Sequence, residues 1–208
     1  MSNPQNPIRP EVLERLRRQS APESQSISTQ QGLDAVAVIA VQAQAQGVAY
    51  ALAGGLAMHL YGFTRATKDV DLVASELLDL LASEQLSFGG VTYQVQVGDR
   101  LIDVDWIVRD DFFREFYVNA LRDAIVTEQG LPILTPEWLV ILKYIARRSK
   151  DKIDLDWLVQ QTGLVDQAQV KNLIVEVMGE KSAVFPLAEL AEIFQRADLN
   201  KLRDQDAK

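Results

Sequence analysis

The chain has 208 residues, 48% of them apolar, which is enough for a substantial core in one large domain or one and a half small ones. A net charge of −8 and a pI near 4.7 argue against a surface that grips nucleic acid as a whole, while leaving room for a local basic patch. With no cysteine and a single histidine, His59, disulfide frameworks, thiolate zinc sites, cysteine nucleophiles and histidine-rich metal sites are excluded, so any metal would be bound mainly by oxygen.

The first 31 residues are rich in Gln, Ser and Pro, with one amphipathic stretch at 10–16 and a polar linker at 20–31. The start of the chain lacks a basic-then-apolar signal pattern. No apolar run approaches the roughly 20 residues that span a bilayer, so a cytoplasmic protein without membrane contact is expected. Helical spacing predicts a buried helix over 33–46, leading to a strand over 48–53. Gly54 and Gly55 then fall where a buried strand turns into a short helix with free N–H groups, which can hold an anion. A second strand is expected over 69–73, and a helix over 75–84 from its Ser cap, early acids and spaced leucines. Residues 91–97 alternate cleanly, Gly98-Asp99 supplies a turn, and 101–108 resumes a strand, which together predict a hairpin. A helix over 110–121 and a short hairpin over 124–135, broken by Gly130 and Pro132, follow. Thr135-Pro136-Glu137 opens a further helix with a cap, a first-position proline and an early acid, and the pattern stays helical to the end. The expected architecture is α+β: a polar segment at 1–31, a mixed-sheet core with flanking helices at 32–135, and a helical region at 136–208.

The period of two along a strand sends Asp69 and Asp71 to one face and Val70 to the other. Asp103 and Asp105 repeat that arrangement in a later strand. One such pair reads as the polar side of a half-exposed strand. Two pairs after a Gly-Gly turn favour a divalent cation, because unpaired buried carboxylates cost several kcal/mol.

Gly54-Gly55, then Arg65-Ala66-Thr67-Lys68-Asp69-Val70-Asp71, then an acid in a later strand resembles the nucleotidyltransferase fold of the DNA polymerase beta superfamily. The nearer resemblance is to small bacterial nucleotidyltransferase-like proteins that include the abortive-infection toxins. A second stretch, Leu142 to Asp151 with Asp154 following, is similar to the helical lysine, arginine and Lys-Asp signature of those proteins. The resemblance covers roughly residues 48–160.

It implies transfer of a nucleoside monophosphate from a nucleoside triphosphate to an acceptor hydroxyl on RNA, protein or a small molecule, with pyrophosphate released. Two Mg2+ or Mn2+ ions about 3.5–4 Å apart would be held by Asp69, Asp71 and a third acid, with Asp103 the better positional match and Asp105 the alternative. Gly54, Gly55, Arg65, Thr67, Lys68, Lys143 and Arg147 would contact the triphosphate. A toxin-like role and a protein partner encoded nearby are further implications.

Other assignments remain open on the residues themselves. Lys143 and Arg147 are four apart and can share a phosphate-facing side of a helix, or form a solvated face on which Arg147 pairs with Asp151. Arg65 and Lys68 can touch a triphosphate or neutralise the neighbouring acids. A packed or surface role is expected for His59, packing for Trp106, Trp138 and Trp157, and caps or surface positions for Asp154 and Asp156. Gly55, where the resemblance often places Ser, keeps a second function in view: a catalytically silent relative that binds nucleotide or a protein partner, antitoxin-like or regulatory.

Overall fold

The computed structural model describes residues 26–206, so the amphipathic stretch at 10–16 lies outside the described residues. The first helix among the described residues, α1 (Thr29–Gln46), begins four residues earlier than its apolar spacing predicts. The reason is a capping box: Ser28 Oγ accepts from the Gln31 amide at 3.1 Å, and Gln31 Oε1 accepts from the Ser28 amide at 3.0 Å. Strand β1 (Tyr50–Leu52) and helix α2 (Gly54–Leu60) follow on either side of the glycine turn, and β2 (Asp69–Ala74) carries the first aspartate pair.

The helix expected over 75–84 does not form; the segment is a set of bends ending in the two-residue β3 (Glu84–Gln85). Its backbone is committed elsewhere. The Tyr93 hydroxyl donates to the Leu78 carbonyl at 2.9 Å and accepts from the Leu78 amide at 3.0 Å. The Trp106 indole donates to the Glu76 carbonyl at 2.7 Å. Leu81, one of the leucines that suggested a buried face, is 96% exposed. Two sheet side chains therefore capture polar groups that a helical ladder would need.

The hairpin forms as expected, with β4 (Val91–Val97) antiparallel to β5 (Arg100–Ile107) around Gly98-Asp99. Helix α3 (Arg114–Arg122) begins four residues after its expected start. The edge hairpin of β6 (Ile125–Val126) and β7 (Pro132–Ile133) also matches its expected place. Thr135 caps α4 (Pro136–Ala146), with Pro136 in the first position, and α5 (Ser149–Gln160), α6 (Gln167–Met178) and α7 (Glu180–Asp206) complete the chain.

The α+β class is as expected: among the described residues there is one mixed seven-stranded sheet in the order β3-β4-β5-β2-β1-β7-β6, flanked and followed by helices. The side of the sheet that carries Val70, Leu72, Tyr93, Val95, Ile102, Val104 and Trp106 is buried, and α1 packs across β2, β4 and β5 with Ala35, Val36, Ile39 and Ala43 buried. Removing such a layer from water is the main driving force for folding, at about 25 cal/mol per Å² of apolar area. Trp106 and Trp138 are core residues, and Trp157 stacks on Phe63 with ring centroids 4.9 Å apart. The opposite side of the sheet carries all four aspartates, with α4 lying over part of it.

Candidate active site

Parallel pairing of β2 with β5 sets Asp69 opposite Asp103 and Asp71 opposite Asp105. Register partners in a sheet share a face, so the period of two and the pairing together bring all four carboxylates to one side. Their surroundings differ along that face. Asp103 is exposed and accepts from the Gln94 side chain at 3.1 Å. Asp105 accepts from the Thr92 hydroxyl at 2.7 Å. Burial, followed by the charges of Asp71, Asp69 and Asp103, outweighs that hydrogen bond and pushes its carboxyl up to about 6.

Asp71 is only 7% exposed, and its carboxylate has no hydrogen-bond or ion-pair partner among the described residues. Burial first and Asp69 second raise its pKa, while Lys143, Lys150 and Arg148 pull it back. A carboxylate this enclosed, without a direct partner and only partly offset by distant cations, is what a bound cation would relieve.

The glycine turn is shaped around that carboxylate. Gly54 has φ +59, and a Cβ placed on it would stand 1.7 Å from Asp71 Oδ2. Gly55 serves the next residue pair. A Cβ there would meet Thr67 Oγ1 at 2.6 Å and Arg65 Nη2 at 3.2 Å, so the space that a Ser side chain would need is already filled. Thr67, itself buried, donates to Asp69 at 3.2 Å and so steadies the first acid. The α2 N-terminus has no side-chain cap, and its first N–H groups lack intrahelical partners, as in any helix.

The basic residues fall into two groups. Lys143 is buried and its Nζ lies 2.6 Å from Asp154 Oδ2 and 3.2 Å from Asp151 Oδ1. Arg65 grips the other side of Asp154 through Nε at 2.5 Å and Nη2 at 2.8 Å. Arg148 grips Asp151 through Nε at 2.6 Å and Nη2 at 3.2 Å. Asp151 and Asp154 are fully buried, and these basic partners hold both carboxyls below the usual range against the opposing effect of burial. Three cations against two carboxylates leave this cluster one positive charge, facing the unpaired Asp71. Asp154 is thus not a cap or surface acid, because it is the shared partner that ties α5 to α4 and to the segment before β2. Asp156 does lie at the surface, near Arg196.

Arg147 stands apart. Helix α4 ends at Ala146, and Arg147 adopts φ 54, which turns it off the face it was expected to share with Lys143. Its guanidinium pairs with Glu189 at 2.5 Å and with the Tyr144 hydroxyl at 3.0 Å, not with Asp151. Lys68 is exposed, with no ion-pair partner among the described residues. His59 is a packed positioning residue: Nε2 donates to the Arg65 carbonyl at 2.6 Å, and Nδ1 meets the Thr29 hydroxyl at 3.0 Å.

A cavity of about 240 Å³ opens beside Asp71 and is lined by Phe88, Arg109, Phe113, Tyr117 and Arg148, among others. Sequence reading passed over these residues except Arg148, for which it favoured a solvated helix face. Their signal was an arginine two positions beyond an aspartate-bearing strand, followed by aromatics at Phe113 and Tyr117, four apart on one helical face.

Oxygen donors on one sheet face suit Mg2+ or Mn2+. Among the described residues no three acids or histidines are gathered closely enough to enclose an ion. Mg2+ is commonly held by one or two carboxylates, with water and substrate phosphates completing the shell, and two of Asp69, Asp71 and Asp105 could supply such an open set.

No protein-family model matches the chain, and no curated protein does. Among solved structures it is similar to an antigenic nucleotidyltransferase-like protein from Paracoccidioides brasiliensis. The identity is 14% and the TM-score 0.46, over 82% of this chain and 94% of that one. It is also similar to the antibiotic-resistance factor ANT(2'')-Ia, with 15% identity and a TM-score of 0.37, over 86% of this chain and all of the other. Among the described residues no helix is long and apolar enough to cross a membrane.

Proposed function

We propose that the protein is a nucleotidyltransferase that moves a nucleoside monophosphate from a nucleoside triphosphate to an acceptor hydroxyl. The observation that carries this reading is Asp71: buried, unpartnered, beside Asp105 in register and fitted against Gly54. In the reaction the acceptor hydroxyl loses its proton to solvent, its oxygen bonds to the α-phosphorus, the bond from that phosphorus to the bridging oxygen breaks, and pyrophosphate leaves with the electron pair. Mg2+ or Mn2+, held by Asp69, Asp71 and a third acid, would offset the triphosphate charge and favour ionisation of the acceptor hydroxyl.

We assign the third acid to Asp105 in preference to Asp103, on its pairing with Asp71 and its partial burial. Thr67 orients Asp69. The Arg65–Asp154–Lys143–Asp151–Arg148 cluster supplies a fixed positive field opposite the acids, which stabilises phosphate charge without reorganising during the reaction. Gly54 and Gly55 let backbone and phosphates approach. A toxin-like role, with RNA or protein as the acceptor and a protein partner encoded nearby, is the form of the activity that the sequence resemblance suggests.

A second reading, a silent module that binds nucleotide or a protein, is favoured by one observation: Lys143 and Arg65 are already saturated by buried carboxylates. The two separate in one experiment. The protein is incubated with each of the four nucleoside triphosphates labelled at the α-phosphate, with Mg2+, total RNA and cell protein, beside an Asp69→Ala/Asp71→Ala control. Label transferred only by the intact acids supports the transferase. Nucleotide binding without transfer supports the silent module and overturns the transferase.

A further inference from the structure

The cavity beside Asp71 has a feature that catalysis at the acids does not use. Arg109, two residues beyond the end of β5, is enclosed by three rings, with its Cζ 5.5 Å from the Phe88 centroid, 5.6 Å from Phe113 and 5.1 Å from Tyr117. Its side chain is only 10% exposed. Asp111 takes its Nε, at 3.0 Å, and its Nη2, so the guanidinium is held side-on and Nη1 has no partner among the described residues. Arg148 is held in the same way by Asp151, through Nε and Nη2, and its Nη1 is likewise without a partner among the described residues. Both arginines line the same aromatic-walled cavity, each with its guanidinium oriented by a carboxylate and one nitrogen outside that pairing.

Aromatic walls suit a flat ring, and the adjoining Asp71 disfavours a bare phosphate. The volume, about 240 Å³, is below the roughly 300–1,000 Å³ that encloses a complete drug-sized ligand, so the cavity takes one part of a larger molecule. Arginine donors read acceptor atoms; guanine, uracil and cytosine each offer an exocyclic carbonyl oxygen, whereas the acceptors of adenine are ring nitrogens only and its exocyclic group is an amino donor.

Building on the nucleotidyltransferase reading above, we propose that this cavity holds the base of the donor nucleotide, and that Arg109 selects carbonyl-bearing bases (guanine, uracil or cytosine) over adenine.

The test is calorimetric titration of the whole protein, with Mg2+, using non-hydrolysable analogues of all four nucleoside triphosphates and inorganic triphosphate alone. Wild type and Arg109→Met are compared, with Arg109→Lys as a second variant that keeps the charge over the rings but not the fork. At least one carbonyl-bearing analogue should bind about tenfold or more tighter than the adenosine analogue. Both variants should lose that preference while still binding inorganic triphosphate as wild type does. Equal binding of all four analogues with triphosphate binding intact, a preference for adenosine, or selectivity retained in Arg109→Met would each overturn the base pocket and leave the transferase reading standing. No binding of any nucleotide or of triphosphate by wild type would remove both.

Discussion

The carboxylate of Asp71 occupies the space where residue 54 would carry its side chain, with 1.7 Å between Asp71 Oδ2 and an ideal Cβ on Gly54. Two constraints meet at this glycine, because its φ of +59 also lies in the left-handed region that L side chains avoid. Gly54→Ala should therefore cost about 1–3 kcal/mol in denaturant unfolding and lower turnover by displacing Asp71. Gly55→Ala meets the Thr67 side chain and the end of Arg65, without a positive φ, and should cost less on both counts.

Asp71 itself trades stability for function. Its carboxylate is buried without a partner, and removing that charge at nearly constant shape relieves the metal-free fold. Asp71→Asn should raise the thermal midpoint in the presence of EDTA, by an amount corresponding to about 1 kcal/mol or more, and should abolish any stabilisation by Mg2+ or Mn2+. Differential scanning calorimetry with and without the cation measures both effects.

The charge cluster behaves in the opposite way. Lys143 is 6% exposed and Asp154 fully buried, so Asp154→Ala leaves the buried ammonium with Asp151 alone and frees Arg65, at an expected cost of about 3 kcal/mol in urea unfolding.

The same cluster sets the acid limb of stability. The folded pKa values of Asp151 and Asp154 lie below the unfolded ones, so between the two the unfolded chain binds more protons and stability rises with pH. Their contribution is present above the unfolded value of about 3.9 and is lost as pH falls through the folded values. Asp154→Asn should flatten the dependence of unfolding free energy on pH below about 4, measured from urea curves at successive pH values.

Arg147 and Arg148 are neighbours in sequence with different partners. Arg147→Ala breaks only a surface contact with Glu189 and Tyr144, so it should change stability by about 1 kcal/mol at most and leave nucleotide affinity unaltered in titration calorimetry. Arg148→Met removes a cation that faces both Asp151 and Asp71, and should weaken nucleotide binding.

The contrast between these two arginines shows what a sequence can and cannot reveal here. Strand alternation placed Asp69, Asp71, Asp103 and Asp105 on one face because the period of two needs no tertiary information, and the Thr135-Pro136 signal located a helix start for the same reason. Helical spacing failed at Arg147 because α4 ends one residue earlier, and failed over 75–84 because Tyr93 and Trp106, distant in sequence, claim its carbonyls. Asp154 was legible only as an acid on a helix; its role as shared partner of Arg65 and Lys143 depends on how α5 docks against two distant segments. The cavity around Arg109 was hidden for a similar reason, since its walls come from β2, the turn between β3 and β4, the end of β5, α3 and the α4–α5 junction.

The most direct measurement is the initial rate of pyrophosphate release, with Mg2+, each nucleoside triphosphate and total cellular RNA and protein as acceptors, for wild type and Asp71→Asn side by side. The account predicts release by wild type with at least one nucleotide, coupled to labelled acceptor, and a fall of at least about 100-fold in the variant while its fold survives. Equal rates in the two proteins, or release by neither, would contradict it.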